Sequence, residues 1–382
     1  MSADRPHDVV LLGATGFTGG LTAEYLAAHA GDTRWAIAGR NRDKLARVAE
    51  RIGADVPTVV ADSADPGSLR ELAESARVVI TTVGPYISYG EPLVAACAAA
   101  GTDYVDLTGE PEFVDLMYVR HHAAAEASGA RIVHACGFDS IPHDLGAQFT
   151  VEHLPEDVPL KVEGYVRAGG KPSGGTLASA LGAFSRMRQW RRVAAERKRL
   201  EPRPSDRKIS GVKGAPHRVE GLGWALPMPT IDPQIVLRSA RALPRYGPDF
   251  SYGHYVAVKR LPVAVGLAGG TMGLIGVSQI PQVRKLLTDK FPSGQGPSEE
   301  ERAKSWFKVR FLGEGGGAHV ACEVSGGDPG YGETAKMLAE SALCLAHDDL
   351  PAVSGQVTTA QAMGPVLRER LQRAGLDFSV VG

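Results

Sequence analysis

The sequence predicts an α/β fold in which a doubly wound parallel sheet is followed by a second α/β domain. Strand-like and helix-like segments alternate from Asp8 to Gly137, and segments of this length suit right-handed βαβ connections. The chain also has 382 residues, which is more than one hydrophobic core usually serves. The alternation therefore predicts the parallel sheet, and the length predicts a further domain.

The first strand is predicted at "DVVLLGA", and it runs directly into the glycine-rich loop "ATGFTGG". Gly13 allows a tight turn, Gly16 leaves room for a pyrophosphate, and Gly19 lets the following helix pack closely. The spacing is GxxGxxG, but a strand before it and a helix after it favour phosphate binding over a glycine turn without a ligand. We expect a dinucleotide's pyrophosphate to contact Gly13, Thr15, Gly16, Phe17 and Thr18.

The end of the second strand, "WAIAGR", indicates which dinucleotide binds. An NAD site usually has an acidic residue here for the ribose hydroxyls, whereas this chain has Arg40 followed by Asn41. Because a guanidinium suits a 2′-phosphate, the sequence favours NADP(H). The alternative is an exposed helix start that happens to be basic.

The next two strands are predicted at "VPTVVAD" and "ARVVITTVG", with a helix between them that begins at Asp65 and Pro66. Asp62 and Ser63 then lie beside the adenine. The loop after the fourth strand borders the nicotinamide, because that strand lies across the topological switch point. This loop contains Val83, Gly84 and Pro85, and we expect Tyr86 to project into the crevice.

Composition excludes several classes of protein. The formal net charge is −1, which indicates no general attraction to nucleic acid. The four cysteines are scattered without metal-ligand spacing, so we expect reduced thiols and no metal. The polar start "MSADRPHD" leads directly into the first strand and predicts a cytoplasmic protein without a signal peptide.

Four motifs together resemble the saccharopine dehydrogenase-like oxidoreductases, in the branch that contains trans-acting enoyl reductases. These motifs are "DVVLLGATGFTGGLTAEYLA", "AIAGRNRDKL", "VGPYISYGEPLVAACAAAGTDYVDLTGE" and "HACGFDSIPHDLGA", and the similarity continues to the C-terminal "TTAQAMGPVLRERLQRAGLDFSVV". The resemblance implies an NADP-binding Rossmann domain at 1–150 and a second α/β domain at 151–350. It also implies a C-terminal helix within 351–382 that returns to the first domain.

The activity implied by the resemblance is NADP(H)-dependent reduction of an enoyl C=C in a lipid or polyketide intermediate. Such a reaction needs a proton donor and a group that stabilises an oxyanion. We expect Tyr86 or His143 to donate, Asp139 or Asp144 to orient His143, and the backbone N–H groups around Ser140 to face the oxyanion. The alternative for Asp139 and Ser140 is that they only cap the helix.

Two segments of the second half have alternative interpretations. The basic helix Arg186–Arg199 is either a solvated face or a docking site for an anionic partner such as an acyl carrier protein. The uncharged segment Leu261–Val283 suggests buried helices or a homodimer face, a membrane-touching or lipid-binding segment, or a spanning helix. Before it, "YVAVK" has the Tyr255–Lys259 spacing of short-chain dehydrogenases, but the stretch alternates as a strand does.

Two other functions remain open at this stage. One is C–N chemistry on an amino acid, as in saccharopine reduction, which would need paired cations for the substrate carboxylates. The other is non-catalytic binding of NADP or lipid at membranes or lipid droplets, which Leu261–Val283 would serve.

Overall fold

The computed structural model describes residues 5–169, 182, 185–280, 282–283 and 296–381. The chain divides into two compact units. The first contains residues 1–139, 193–200 and 330–374, and the second contains 140–192, 201–329 and 375–382. The division differs from the predicted 1–150, 151–350 and 351–382, because the chain passes between the units several times.

The first unit is built on a seven-stranded parallel sheet. Its order is β14-β6-β5-β4-β1-β2-β3, which places the first strand between the fourth and the second. Residues Val9 to Leu12 are at most 3% exposed, as expected for a strand covered on both faces. The strands are His7–Leu12 (β1), Trp35–Gly39 (β2), Thr58–Val60 (β3), Ala76–Thr81 (β4), Asp103–Asp106 (β5), Arg131–Val133 (β6) and Gly355–Val357 (β14).

Two helices of the first unit, Arg42–Ile52 (α2) and Pro66–Ser75 (α3), begin at side-chain caps, Asn41 and Asp65. The Asp65 carboxylate accepts hydrogen bonds from the N–H groups of Gly67 and Ser68, and Pro66 occupies the first turn. This confirms the predicted helix start. The helices before the second unit are Phe17–His29 (α1), Arg42–Ile52 (α2), Pro66–Ser75 (α3), Tyr86–Tyr89 (α4), Glu91–Ala100 (α5) and Pro111–Ser128 (α6).

The late part of the chain also belongs to the first unit, which the sequence predicted only in part. Helix Gly332–His347 (α12) is nearly all buried and packs against α1. Beyond it lie β14 and the helices Thr359–Ala362 (α13) and Gly364–Arg373 (α14). The segment 351–382 is thus not one returning helix: it adds a strand to each of the two sheets, β14 to the first sheet and Asp377–Val380 (β15) to the second.

The second unit has an eight-stranded mixed sheet. Its order is β15-β13-β12-β7-β11-β10-β9, and β8 pairs with β11 off this path. Tyr255 to Val258 of "YVAVK" lie in strand Asp249–Val258 (β11) and Lys259 follows directly after it, which confirms the strand interpretation and excludes the dehydrogenase pair. The remaining strands are Leu160–Gly169 (β7), Lys208–Gly211 (β8), His217–Val219 (β9), Gly223–Pro227 (β10), Asp249–Val258 (β11), Trp306–Gly315 (β12) and Ala318–Gly326 (β13).

One helix, Ile141–Glu152 (α7), packs on strands β7, β12 and β13 of this sheet. Its Gly146 lies so close to Phe311 that an added Cβ would be 2.3 Å from the ring. The other helices outside the first unit's core are Met187–Leu200 (α8), Asp232–Ala242 (α9), Leu261–Ser278 (α10) and Glu299–Ala303 (α11). The start of α7 and the start of α9 carry the side chains of interest below.

Candidate active site

The glycine-rich loop has the geometry that phosphate binding requires. Gly13 has φ +96°, and an added Cβ would lie 2.6 Å from Thr82 Oγ1. A Cβ on Gly19 would lie 2.1 Å from the Gly13 carbonyl oxygen, so that position must stay bare for α1 to pack. Gly16 is exposed and forms the N-cap of α1 without a side-chain cap. The N-terminus of this helix therefore presents backbone N–H groups beside an open position, as a pyrophosphate site needs.

The other predicted loop residues surround this position. Thr15 is exposed, and Thr18 and Phe17 are half-buried. The Phe17 ring meets the ring of Tyr331 edge to face at 4.8 Å. Tyr331 precedes α12, so the late part of the chain supports the loop from a position that sequence reasoning did not predict.

The ends of β2 and β3 carry the residues predicted for the adenosine half. Arg40 is exposed directly after β2. Asn41 caps α2 instead of reaching away from the chain, because its Oδ1 accepts a hydrogen bond from Lys44 N–H at 2.9 Å. Asp62 and Ser63 are half-buried, and Asp62 Oδ1 accepts from Ala64 N–H. The guanidinium of Arg40 is therefore the predicted cation that is open to a 2′-phosphate.

The loop after β4 agrees with the prediction at its first residues but not at Tyr86. Gly84 and Pro85 are exposed and Val83 is half-buried. Tyr86 is only 4% exposed, and its hydroxyl donates to the Thr81 carbonyl at 3.0 Å. Burial raises its pKa well above the usual value. The expectation that Tyr86 projects into the crevice is wrong, because its aromatic ring is buried in the hydrophobic core and its hydroxyl donates a hydrogen bond to a backbone carbonyl.

A buried carboxylate holds this turn in place. Glu110 is 3% exposed, and its two oxygens accept hydrogen bonds from the backbone N–H groups of Tyr86 and Ile87 at 2.9 and 3.0 Å. No local pattern predicts this role, because Glu110 lies 24 and 23 residues from Tyr86 and Ile87 along the chain. Its carboxylate serves as the helix cap that Pro85 cannot provide.

The segment "GFDSIPHD" lies where the first unit ends and the second begins. Asp139 is half-buried in the first unit. Ser140 is 1% exposed at the N-cap of α7, but its side chain makes no capping hydrogen bond there. The alternative that Ser140 merely caps the helix with its hydroxyl is therefore wrong. Instead, its carbonyl accepts from the N–H groups of His143 and Asp144.

His143 belongs to a fully buried cluster in the second unit. Its Nδ1 lies 3.1 Å from Asp232 Oδ1, and His254 Nε2 lies 3.3 Å from Asp232 Oδ2. All three side chains are about 1% exposed. The two imidazole rings are 5.0 Å apart and nearly perpendicular. The Asp232 carboxylate therefore contacts two imidazoles, with one oxygen facing His143 and the other facing His254.

Further groups extend the cluster at both ends. Thr230 donates to Asp232 Oδ2 at 2.5 Å, and the Tyr252 hydroxyl lies 3.2 Å from His254 Nδ1. The carboxylates predicted to orient His143 were Asp139 and Asp144. The structure places Asp232 against His143 instead, while Asp144 accepts a hydrogen bond from Ser239 at 2.6 Å.

The electrostatics follow from burial and from these contacts. Burial alone would raise the pKa of Asp232, but the adjacent His143 and His254 lower it well below its usual value. The pKa of His254 is lowered because burial disfavours the imidazolium more than Asp232 favours it. The arrangement is thus an ionised carboxylate that holds imidazoles in fixed orientations, as in catalytic triads.

The same three side chains are a potential metal site. Their ligand atoms all lie within 4.8 Å of one another, and two imidazoles with one carboxylate are a common ligand set for transition metals. The expectation of no metal was based on the spacing of residues in the sequence. Spacing does not reveal this group, because His143 and Asp232 are 89 positions apart and Asp232 and His254 are 22 positions apart.

Two surface segments also had predicted roles. Of the basic helix, Arg188, Arg191 and Arg192 are exposed, but Arg197 is buried and ion-paired with Asp115 at 2.5 Å. Arg197 is thus a structural residue and not part of a docking face. The stretch "KPSGGTLASALGAF" at 171–184, which also resembles the family, lies outside the described residues except for Gly182.

The segment Leu261–Val283 forms the helix α10 over its first eighteen residues, with many exposed side chains. The prediction of buried helices is wrong for this part, because the helix lies on the surface of the second unit. Among the helices that the structure describes, none has the length and apolar character to cross a bilayer.

The fold and the phosphate loop define a dinucleotide-binding oxidoreductase. Residues 9–133 match the family model of the saccharopine dehydrogenase NADP-binding domain. The protein is therefore an NADP-dependent oxidoreductase, and NADP(H) is its cofactor, as predicted from Arg40.

Relatives over the full length identify the family. A Mycobacterium tuberculosis protein, provisionally named a trans-acting enoyl reductase, is 38% identical over 98% of this chain and 97% of its own. The trans-acting enoyl reductase of Mycobacterium ulcerans is 35% identical over 99% of this chain and 98% of its own. The chain belongs to the family of these trans-acting enoyl reductases.

A solved structure supports the fold. Saccharopine dehydrogenase (L-Glu forming) from Saccharomyces cerevisiae aligns with a TM-score of 0.57 at 13% identity, over 98% of this chain and 100% of its own. At this identity the similarity concerns the fold alone.

Proposed function

We propose that this protein is an NADPH-dependent reductase of α,β-unsaturated acyl groups that are carried by a separate protein. The observation that carries the proposal is similarity over nearly the whole chain, at 35–38% identity, to proteins named trans-acting enoyl reductases. The phosphate loop and Arg40 account for the cofactor, and the cluster around His143 supplies acid–base chemistry.

The reaction adds a hydride and a proton across a C=C bond. NADPH, when bound, supplies the hydride to the β-carbon, and the electron pair of the double bond moves to the carbonyl oxygen. The resulting enolate then takes a proton at its α-carbon, which restores the carbonyl. The protein must therefore position the acyl group, stabilise the enolate oxygen and deliver one proton.

His143 is the proposed proton donor. Asp232 at 3.1 Å from Nδ1 favours the charged ring and fixes its orientation, which leaves Nε2 for proton transfer. His254 and Thr230 contact Asp232, Tyr252 contacts His254, and all three act as positioning residues. Ser140, with a buried hydroxyl at the start of α7, is the proposed source of hydrogen bonds to the enolate oxygen.

The exposed basic residues of α8 suit an anionic carrier. Arg188, Arg191 and Arg192 are exposed on one segment, and opposite charge raises the association rate of protein partners. Charge reversal at these three positions should raise KM for a carrier-bound enoyl group while leaving KM for a short enoyl thioester unchanged. The matched control is Arg70→Glu, at an exposed position of the first unit.

The test of the proposal is NADPH oxidation with a medium-chain trans-2-enoyl thioester, with product identified by mass spectrometry. The His143→Gln variant should lose about 10²-fold or more in kcat and still bind NADPH. His153→Gln, an exposed histidine just after the same helix, should keep full activity. No saturated product from any enoyl thioester would refute the activity, and full kcat in His143→Gln would refute the donor.

A further inference from the structure

Helix α10 exposes an unusual amount of apolar surface. The exposed fractions of Leu261, Val263, Val265 and Leu267 are 47, 50, 63 and 43%. Scattered apolar residues on a surface are ordinary, but a contiguous group of this kind marks an interaction site.

The exposed residues do not lie on one face. Val263 and Val265 are two positions apart, which turns them about 200° from each other on a helix, and both are at least half exposed. At the five glycines from Gly266 to Gly276, an added Cβ would have no heavy atom of the described residues within 4 Å beyond its chain neighbours and the nearby backbone of the helix itself. The helix is buried at both ends: near its start Ala264 is 2% exposed and strands β10 and β11 lie against it, and at its end Ser278 is 0% exposed.

In the sequence, basic residues flank the apolar segment on both sides. Lys259 and Arg260 are exposed immediately before the helix. No charged residue follows until Arg284 and Lys285. Apolar residues bounded by basic ones are the pattern by which a helix enters the surface of an anionic bilayer.

We propose that α10 inserts into the surface of an anionic lipid membrane and holds the second unit there. A helix from a second copy of the chain would cover one stripe of α10, whereas lipid can cover every side that the second unit leaves exposed. The cations at the start then meet lipid phosphates. This inference does not depend on the proposed activity, because it rests on the surface of the helix alone.

The test is flotation of the full-length protein with phosphatidylcholine vesicles, with and without roughly one-third phosphatidylglycerol. We expect binding to the anionic vesicles and at least about a tenfold loss of binding in the double variant Val263→Asp, Val265→Asp. Val380→Asp, an exposed valine at 48% in strand β15, should bind like the unmutated protein. Lys259→Glu with Arg260→Glu should weaken binding and remove the preference for anionic lipid.

Three results would overturn the proposal. The first is no flotation with either vesicle, and the second is equal flotation of the double variant. The third is a dimer in sedimentation that the double variant abolishes without lipid, which would assign the helix to a second copy. Thermal melting of each variant shows that the fold is kept, and NADPH turnover without lipid is measured separately.

Discussion

Replacing Asp232 by Asn tests the buried cluster with little change of shape. The carboxylate oxygen lies 3.1 Å from His143 Nδ1. At an effective dielectric constant of about 20, two unit charges at this distance attract by about 5 kcal/mol. If all of this energy stabilised the transition state, its loss would lower kcat by about 10⁴-fold. The amide removes the charge but keeps the size and shape of the side chain, so we expect a loss of about 10³-fold in kcat.

The assay compares kcat for NADPH oxidation with NADPH affinity and melting temperature. Asp232→Asn should lose turnover and keep NADPH binding. As pH rises, its remaining activity should be lost at a lower pH than in the unmutated protein, because the His143 imidazolium has lost its counter-charge and gives up its proton more readily. Asp249→Asn, whose carboxylate is 42% exposed and pairs with Lys208, is the matched control. Equal kcat in both variants would refute the role of Asp232. Transition metal bound in proportion to protein, and lost in Asp232→Asn, would instead show a metal centre.

The remaining predictions concern the cofactor loop and pH. NADPH should bind more tightly than NADH, and Arg40→Asp should reverse this order by roughly 2–4 kcal/mol; equal affinities in the unmutated protein, measured by fluorescence titration, would refute it. Gly16→Val should abolish the rise in melting temperature that NADPH causes, while the stability of the free protein stays unchanged, because the nearest atom to the added Cβ is 3.4 Å away. Gly19→Val should instead lower the stability, because its Cβ would lie 2.1 Å from the Gly13 carbonyl oxygen. The free energy of unfolding should fall as pH drops below about 6.5, because the lowered pKa of His254 means that the unfolded chain binds the proton first. Calorimetry across this pH range should show a smaller fall in the free energy of unfolding for His254→Gln than for the control variant His319→Gln, whose histidine is exposed.

The sequence by itself determined the parallel sheet and the cofactor loop. Strand and helix periods are local properties, and the glycines at Gly13 and Gly19 are required by contacts within a few residues or across one strand pair. The start of α3 at Asp65 was predictable for the same reason. Arg40 was found because the end of the second strand has a fixed place relative to the ribose in this fold.

Only the tertiary structure decided the partners of the buried polar groups. Tyr86 follows a strand that was correctly predicted, but the sequence does not determine which way its side chain points. The side chain turns inward because it packs against the Phe113 ring and donates a hydrogen bond to the Thr81 carbonyl. Asp232 and His254 stand in segments that look like an ordinary helix start and an ordinary strand. They meet His143 because strand β11 and helix α9 pack together with α7, and contacts at such sequence separations leave no local pattern. The physical reason is that periodicity reports which face of an element is buried, while the pairing of buried charges is set by how the elements pack.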